Sequence, residues 1–250
     1  ADDTWEFIKT LKDERIKEKK KLNLNRGCAY AINYVMSKRK KEQFFFHLDS
    51  DTCMMTSDWI TKFMEVMNEY PEIGAASTVK PSILRYYSIY SKKLNKHGVE
   101  VGVIDALIGN CLCIRPEVID ILGYFNEETG RCDSDYSIRI NKFTNYKMAL
   151  VKSIVIDQKQ KIECSECIMS NMCKVKNNNI TCFKIRDNKY QNEIFEKKSK
   201  ELVIKYYQEI EEGKRTPYCA SIHDEKSMKD NYYDRNRAEQ IFNYYIKNSN

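Results

Sequence analysis

The stretch FFFHLDSDT, residues 44–52, runs from a short, largely apolar segment straight into two carboxylates, Asp49 and Asp51, separated only by Ser50. FFFHL is too short for a helix and strongly aromatic, so it reads as a buried strand with an acidic end. In open α/β sheets that end is where ligands bind. An acid-x-acid pair there can hold a divalent cation, Mg²⁺ or Mn²⁺, that also carries the oxygens of a diphosphate. The same pair can equally cap the turn and the start of the next helix.

The flanking sequence predicts the sheet. Residues 5–20 space Trp5, Ile8, Leu11 and Ile16 as one narrow helical stripe, KLNLN reads as a short strand, and RGCAYAINYVMSKRKK reads as a second helix. After the acids, a helix begins near Ser57 and stops at Tyr70-Pro71, and IGAASTV at 73–79 is the next strand. This rhythm predicts an α/β fold with a mainly parallel, Rossmann-like sheet flanked by helices. Residues 80–105 read as a loop, 106–115 as a strand, Pro116 to Gly123 as a short helix, 133–143 as a helix and 146–156 as a strand. Beyond Asp157 the composition turns polar and Asn-rich, with helices expected at about 190–212 and 226–247. The expected organisation is a core over 1–157 and a mostly helical, Cys-containing appendage over 158–250.

With 250 residues, 42% of them hydrophobic, the chain can bury a sizeable core. Apolar runs such as ALIGNCLCI fall short of the roughly 20 residues a membrane span needs. No charged-then-apolar leader opens the chain, so a soluble, cytoplasmic protein is expected. A net charge of +6 from 42 basic and 36 acidic residues is modest. The densest basic clusters, KEKKKLNLNR and SKRKK, suit a phosphate-rich ligand, an anionic membrane face or an ordinary wet helix face.

Ten cysteines in a chain of this kind read as free thiols, with Cys28, Cys53, Cys111 and Cys113 inside packed elements. Cys164, Cys167, Cys173 and Cys182 form C-x2-C-x5-C-x8-C, which can close a structural Zn²⁺ site or remain four unpaired thiols. A zinc-bearing nucleic-acid module is disfavoured, because Tyr206 and Tyr207 sit at helical packing positions rather than on a base-stacking platform. His47 is expected in the core or just behind the site's ligands rather than as a ligand itself, and His97 and His223 have no assigned role. A second acidic pair, Asp133 and Asp135, opens the helix at 133. It either complements the helix dipole or provides a general base.

Four segments in order carry a resemblance. NRGCAYAIN contains Asn-x-Gly-x-x-x-Ala-x-Asn at Asn25, Gly27, Ala31 and Asn33, and it is followed by HLDSDT, LIGNCLCIRPEVIDILGYFNEE and CDSDYSIRI. Over roughly residues 1–157 this resembles the GT-A-fold nucleotide-sugar glycosyltransferases, in particular inverting family 2. The resemblance implies a donor such as a UDP- or GDP-sugar, an acceptor that is a glycan, lipid or protein, and no nucleic acid. It places Asp51 as the metal ligand, Asp49 on the metal or the donor ribose, and Asp133 as general base. Asn25, Gly27, Gly109, Asn110, Asp135 and Arg139 fall on substrate-binding positions. The histidine that often follows the last core strand is replaced by Asp157, an acceptable oxygen ligand. Cys132 stands where the family usually carries the first acid of a Glu-Asp pair.

The implied reaction is a direct displacement with inversion, and the alternative is a non-catalytic GT-A-like shell that binds a glycan or protein. Family members open with a βαβ unit that holds the nucleobase, and ADDTWEFI resembles the segment just after it. The chain is expected to be a piece of a longer product, to draw its base pocket from elsewhere, or to have lost nucleotide binding. The apolar edge left by a truncated sheet favours the first.

Overall fold

The computed structural model describes residues 4–80, 92–158 and 193–247. Six strands form one sheet in the spatial order β1 (Phe45–Leu48), β6 (Cys111–Ile114), β3 (Ile73–Ser77), β7 (Lys147–Leu150), β5 (Val99–Ile104) and β4 (Lys93–Lys96). A separate two-stranded ribbon pairs β2 (Thr52–Met54) with β8 (Ile156–Gln158). The chain is α/β, but the expected mainly parallel sheet is not what forms. Among the described residues, four of the five neighbouring pairs in this sheet are antiparallel, and only β3 with β7 is parallel. The reason is topological: β6 inserts in reverse sense between β1 and β3, and β5 arrives through a hairpin from β4. Since β1 and β3 both oppose β6, and β7 follows β3, the carboxyl ends of β1, β3 and β7 nevertheless share one edge of the sheet.

Helices cover both faces. On one lie α2 (Cys28–Met36), α4 (Pro116–Leu122) and α5 (Asp133–Phe143), burying Ile32, Met36, Val118, Leu122, Tyr136 and Ile140 against Ala75, Leu112, Ile114, Met148 and Leu150. On the other lies α3 (Trp59–Glu69), whose Phe63, Val66 and Met67 meet Ala76, Cys111, Cys113 and Ala149. The alternation Leu112/Ile114 against Cys111/Cys113 is the period-2 pleat sending successive side chains to opposite helical layers. Leu112→Ala or Ile114→Ala would cost about 2–5 kcal/mol. Arg115 anchors the end of α3 by donating to the carbonyls of Met67 and, at 2.9 Å, Ile73.

Several local expectations change. Helix α1 covers only Thr4–Thr10, because Leu11 and Ile16 are each 38% exposed and find no layer to cover. KLNLN forms no strand, and Leu24 is exposed. The expected loop at 80–105 contains the β4–β5 hairpin, which polar side chains on β4 conceal from a hydrophobic pattern. The strand expected at 106–115 shortens to Cys111–Ile114, and that at 146–156 divides into β7 and the start of β8. Strand β1 is an edge strand and only half-buried, with Leu48 40% exposed.

Beyond the core come α6 (Glu193–Glu211), α7 (Glu225–Asp230) and α8 (Arg235–Lys247), so the helix expected over 226–247 is two, parted at 231–234. Asp224 caps α7 by accepting from the amides of Lys226 and Ser227. Buried carboxylates join this segment to the core. Glu127 accepts from Asn33 Nδ2 (2.8 Å), Ser221 Oγ (2.7 Å), Tyr233 OH (2.6 Å) and Ile222 N (3.2 Å). Glu128 pairs with Arg215 at 3.0 Å, both nearly fully buried. Among the described residues, no helix is long and apolar enough to cross a membrane.

Candidate functional site

At the sheet edge where β1 ends, the backbone turns at once: Thr52 N donates to Asp49 O at 3.1 Å, and Asp49 N donates to Asn110 O at 2.8 Å. The second bond exists because Leu48 pairs with Cys111, which brings Gly109 and Asn110 alongside the acidic turn. Asp49 has a side chain 41% exposed, and its Oδ1 lies 2.8 Å from Nε2 of His47, whose own side chain is 18% exposed. Of the two places expected for His47, the contact with Asp49 puts it behind the acidic turn.

Asp133 arrives from the other side as the first residue of α5. Its Oδ2 accepts from Gly109 N at 3.0 Å and its Oδ1 from Ser134 N at 2.9 Å, so both carboxylate oxygens are oriented by backbone donors. Asp49, His47, Gly109 and Asp133 line one cleft of about 310 Å³. Its wall includes Cys28 and Ile32 of α2, Arg131 and Cys132 before α5, and Phe195 and Tyr245 from the C-terminal helices. That size is within the range of small-molecule sites.

Gly27 seats α8 against this wall. It caps α2 at φ 92°, and a Cβ there would come within 2.5 Å of Cε2 of Tyr245, so both the backbone and the packing demand glycine. Asn25 Oδ1 holds the same turn by accepting from Gly27 N at 3.0 Å. Asn25 and Gly27 thus shape the entrance of α2, and Asn33, the last residue of that motif, is spent on Phe125 and Glu127.

Asp135 and Arg139 are not in the cleft. Both side chains are fully buried and paired at 2.8 Å; Arg139 also donates to the carbonyls of Leu122 (2.6 Å) and Tyr124 (2.8 Å), and Tyr207 OH donates to Asp135 at 3.0 Å. These two expected substrate contacts lock α5 to the 122–124 turn and to α6. Glu127 and Glu128 of the preceding loop likewise turn inward.

The metal expectation meets a mixed set of donors. Asp51 follows Asp49 in the turn, and Asp157 lies on β8 directly opposite Cys53, two residues past Asp51. Beside the turn, Thr52 Oγ1 and Asn110 Oδ1 are buried without a hydrogen-bond partner. Hard oxygens of this kind suit Mg²⁺ or Mn²⁺. Among the described residues, however, no group of three or more His, Cys, Asp or Glu side chains is arranged to hold a metal ion. The donor set fits an ion that one or two carboxylates share with ligand phosphates, as Mg²⁺ commonly is, and not an all-protein cage. Cys164, Cys167, Cys173 and Cys182 lie outside the described residues.

The cysteines divide sharply. Cys111, Cys113 and Cys219 are buried, and burial raises all three thiols, Cys111 and Cys219 to about 12. Cys28 and Cys53 are exposed, contrary to the expectation of packed positions. Cys132 Sγ donates to Cys28 Sγ across 3.5 Å within the cleft wall. Sequence reasoning did not pair these two, nor did it find Arg131, Phe195 or Tyr245. The C-terminal aromatics announced helix packing and nothing more.

No family model, no curated protein and no solved structure matches this chain.

Proposed function

We propose that the chain is the core of a metal-dependent inverting glycosyltransferase, moving a sugar from a nucleotide-diphosphate donor, a UDP- or GDP-sugar, to a hydroxyl of a glycan, lipid or protein. The observation that carries this reading is the placement of Asp49 and Asp133 on one cleft, from a strand end and a helix start 84 residues apart in the chain. Transfer needs an acidic turn for the diphosphate and a separate carboxylate for the acceptor, and the cleft has both.

Asp133 takes the role of base. The acceptor hydroxyl attacks the anomeric carbon, its proton passes to Asp133, and the bond from that carbon to the diphosphate oxygen breaks, releasing the nucleoside diphosphate. The amides of Gly109 and Ser134 fix the carboxylate while this happens, and orientation of that kind is a large part of catalytic rate. Asp49 and Asp51, with Asp157 nearby, would hold Mg²⁺ or Mn²⁺, which when bound neutralises charge on the leaving diphosphate. His47 orients Asp49. Phe195 and Tyr245 supply apolar wall on which a sugar face can rest.

The test is thermal unfolding with Mn²⁺ and each of UDP, GDP, CDP and dTDP, with Asp51→Ala as control. A metal-dependent rise for one nucleotide, absent in the variant, is expected. No rise with any of them removes donor binding from this chain. A second reading, a non-catalytic shell binding a glycan or protein, draws on Cys132, a thiol where the resembled family carries an acid; it expects partner binding with no response to nucleotide.

A further inference from the structure

We infer that Cys28 and Cys132 form a reversible disulfide across the cleft wall, a redox modification site that ties the start of α2 to the start of α5. The sulfurs lie 3.5 Å apart although the residues are 104 positions apart in the chain. Closing to a bonded S–S distance requires a movement of about 1.5 Å, within the reach of side-chain rotation. Cys28 is the first residue of α2 and Cys132 the cap position of α5, and the Cys132 side chain makes no capping bond that the change would break.

Access and reactivity agree. Cys28 is exposed, so a low-molecular-weight disulfide can reach it, and Cys132 is positioned to resolve the product. The Cys132 S–H directed at Cys28 lowers the Cys28 thiol below its ordinary value and raises Cys132, which marks Cys28 as the attacking sulfur. The three buried thiols, raised by burial, compete poorly. In the exchange, Cys28 attacks one sulfur of the disulfide RSSR and releases RSH. Cys132 then attacks the Cys28 sulfur, breaking the mixed disulfide and releasing the second RSH. Two protein thiols are oxidised, RSSR is reduced, and the two thiol protons leave on two RSH molecules.

Bond formation does not depend on the glycosyltransferase reading. The full chain is equilibrated in glutathione buffers of increasing oxidised fraction, trapped with an alkylating agent, digested and mapped by mass spectrometry. The expected product is a Cys28–Cys132 cross-linked peptide that dithiothreitol reverses and that is absent from Cys28→Ser and Cys132→Ser. Cys28 recovered only as its glutathione adduct, or bonded to any other cysteine, overturns the inference, as does recovery of both thiols alkylated in fully oxidised glutathione. Nucleotide-dependent melting shifts, measured on the reduced and oxidised forms, separate the two proposals. No shift in the reduced form counts against the glycosyltransferase reading and leaves the cross-link standing.

Discussion

Asp133 Oδ2 sits 3.0 Å from the amide of Gly109, and a Cβ added to Gly109 would come within 2.9 Å of that same oxygen. The amide that orients the carboxylate and the missing side chain that leaves it room belong to one residue. Gly109→Ala would push aside the end of one flexible side chain and little else. On the proposed reading, the shift of a few tenths of an ångström should lower the rate, by less than the roughly 10²-fold that a misplacement of about 1 Å can cost, with a melting temperature close to that of the parent chain. Initial rates of nucleoside diphosphate release, paired with a melt, measure it; an unchanged rate would mean that the position of Asp133 is not critical.

On the proposed reading, Asp133→Asn keeps the shape and removes the proton acceptor. Transfer is expected to fall by about 10²–10⁴-fold while any nucleotide-dependent melting shift persists. Asp51→Ala is expected to lose that shift as well. If Asp133→Asn also lost the shift, Asp133 would belong to donor binding instead of proton transfer.

Arg139→Leu leaves Asp135 charged and buried and strips donors from the carbonyls of Leu122 and Tyr124. Removing one partner of such a pair costs about 3–5 kcal/mol. The double variant Asp135→Asn/Arg139→Leu should recover part of that loss, because the uncompensated charge is gone. Urea midpoints for the two variants decide it. Equal stability of Arg139→Leu and the parent chain would contradict the structural role assigned here.

His223 joins the C-terminal segment to α2, with Nε2 3.0 Å from Tyr30 O, and burial lowers its pKa below the ordinary 6.5. Between that lowered value and 6.5 the unfolded chain binds the proton and the folded chain does not. Stability therefore rises with pH across this window and falls on acidification. The urea midpoint should drop from about pH 7.5 to about pH 5.5 by less in His223→Gln than in the parent chain. Identical drops would assign the acid sensitivity to other groups.

What could be read without coordinates was local. The helix from Asp133 to Phe143, the Pro116 start and Gly123 stop of α4, and the end of α3 before Pro71 all followed from periodicity and caps that involve residues within a few positions of each other. The same logic failed over 11–20, where the stripe through Leu11 and Ile16 was real but had no surface to meet. It also failed in β4, whose polar side chains hid a strand held by main-chain hydrogen bonds to its neighbour.

For the candidate site, the sequence by itself determined that Asp49 and Asp51 end a strand and that Asp133 begins a helix, because strand length and helix start are encoded within a few neighbours. Only the tertiary structure decided which of the marked residues meet. The reversed strand β6 brings Gly109 and Asn110 to the acidic turn, α5 delivers Asp133 onto Gly109, and the ion pair of Asp135 and Arg139 turns inward. The thiols of Cys28 and Cys132 are brought within 3.5 Å of each other across 104 residues of chain. Those contacts come from packing and strand order, which no local pattern carries, because the partners are chosen by shape and burial between segments distant in sequence.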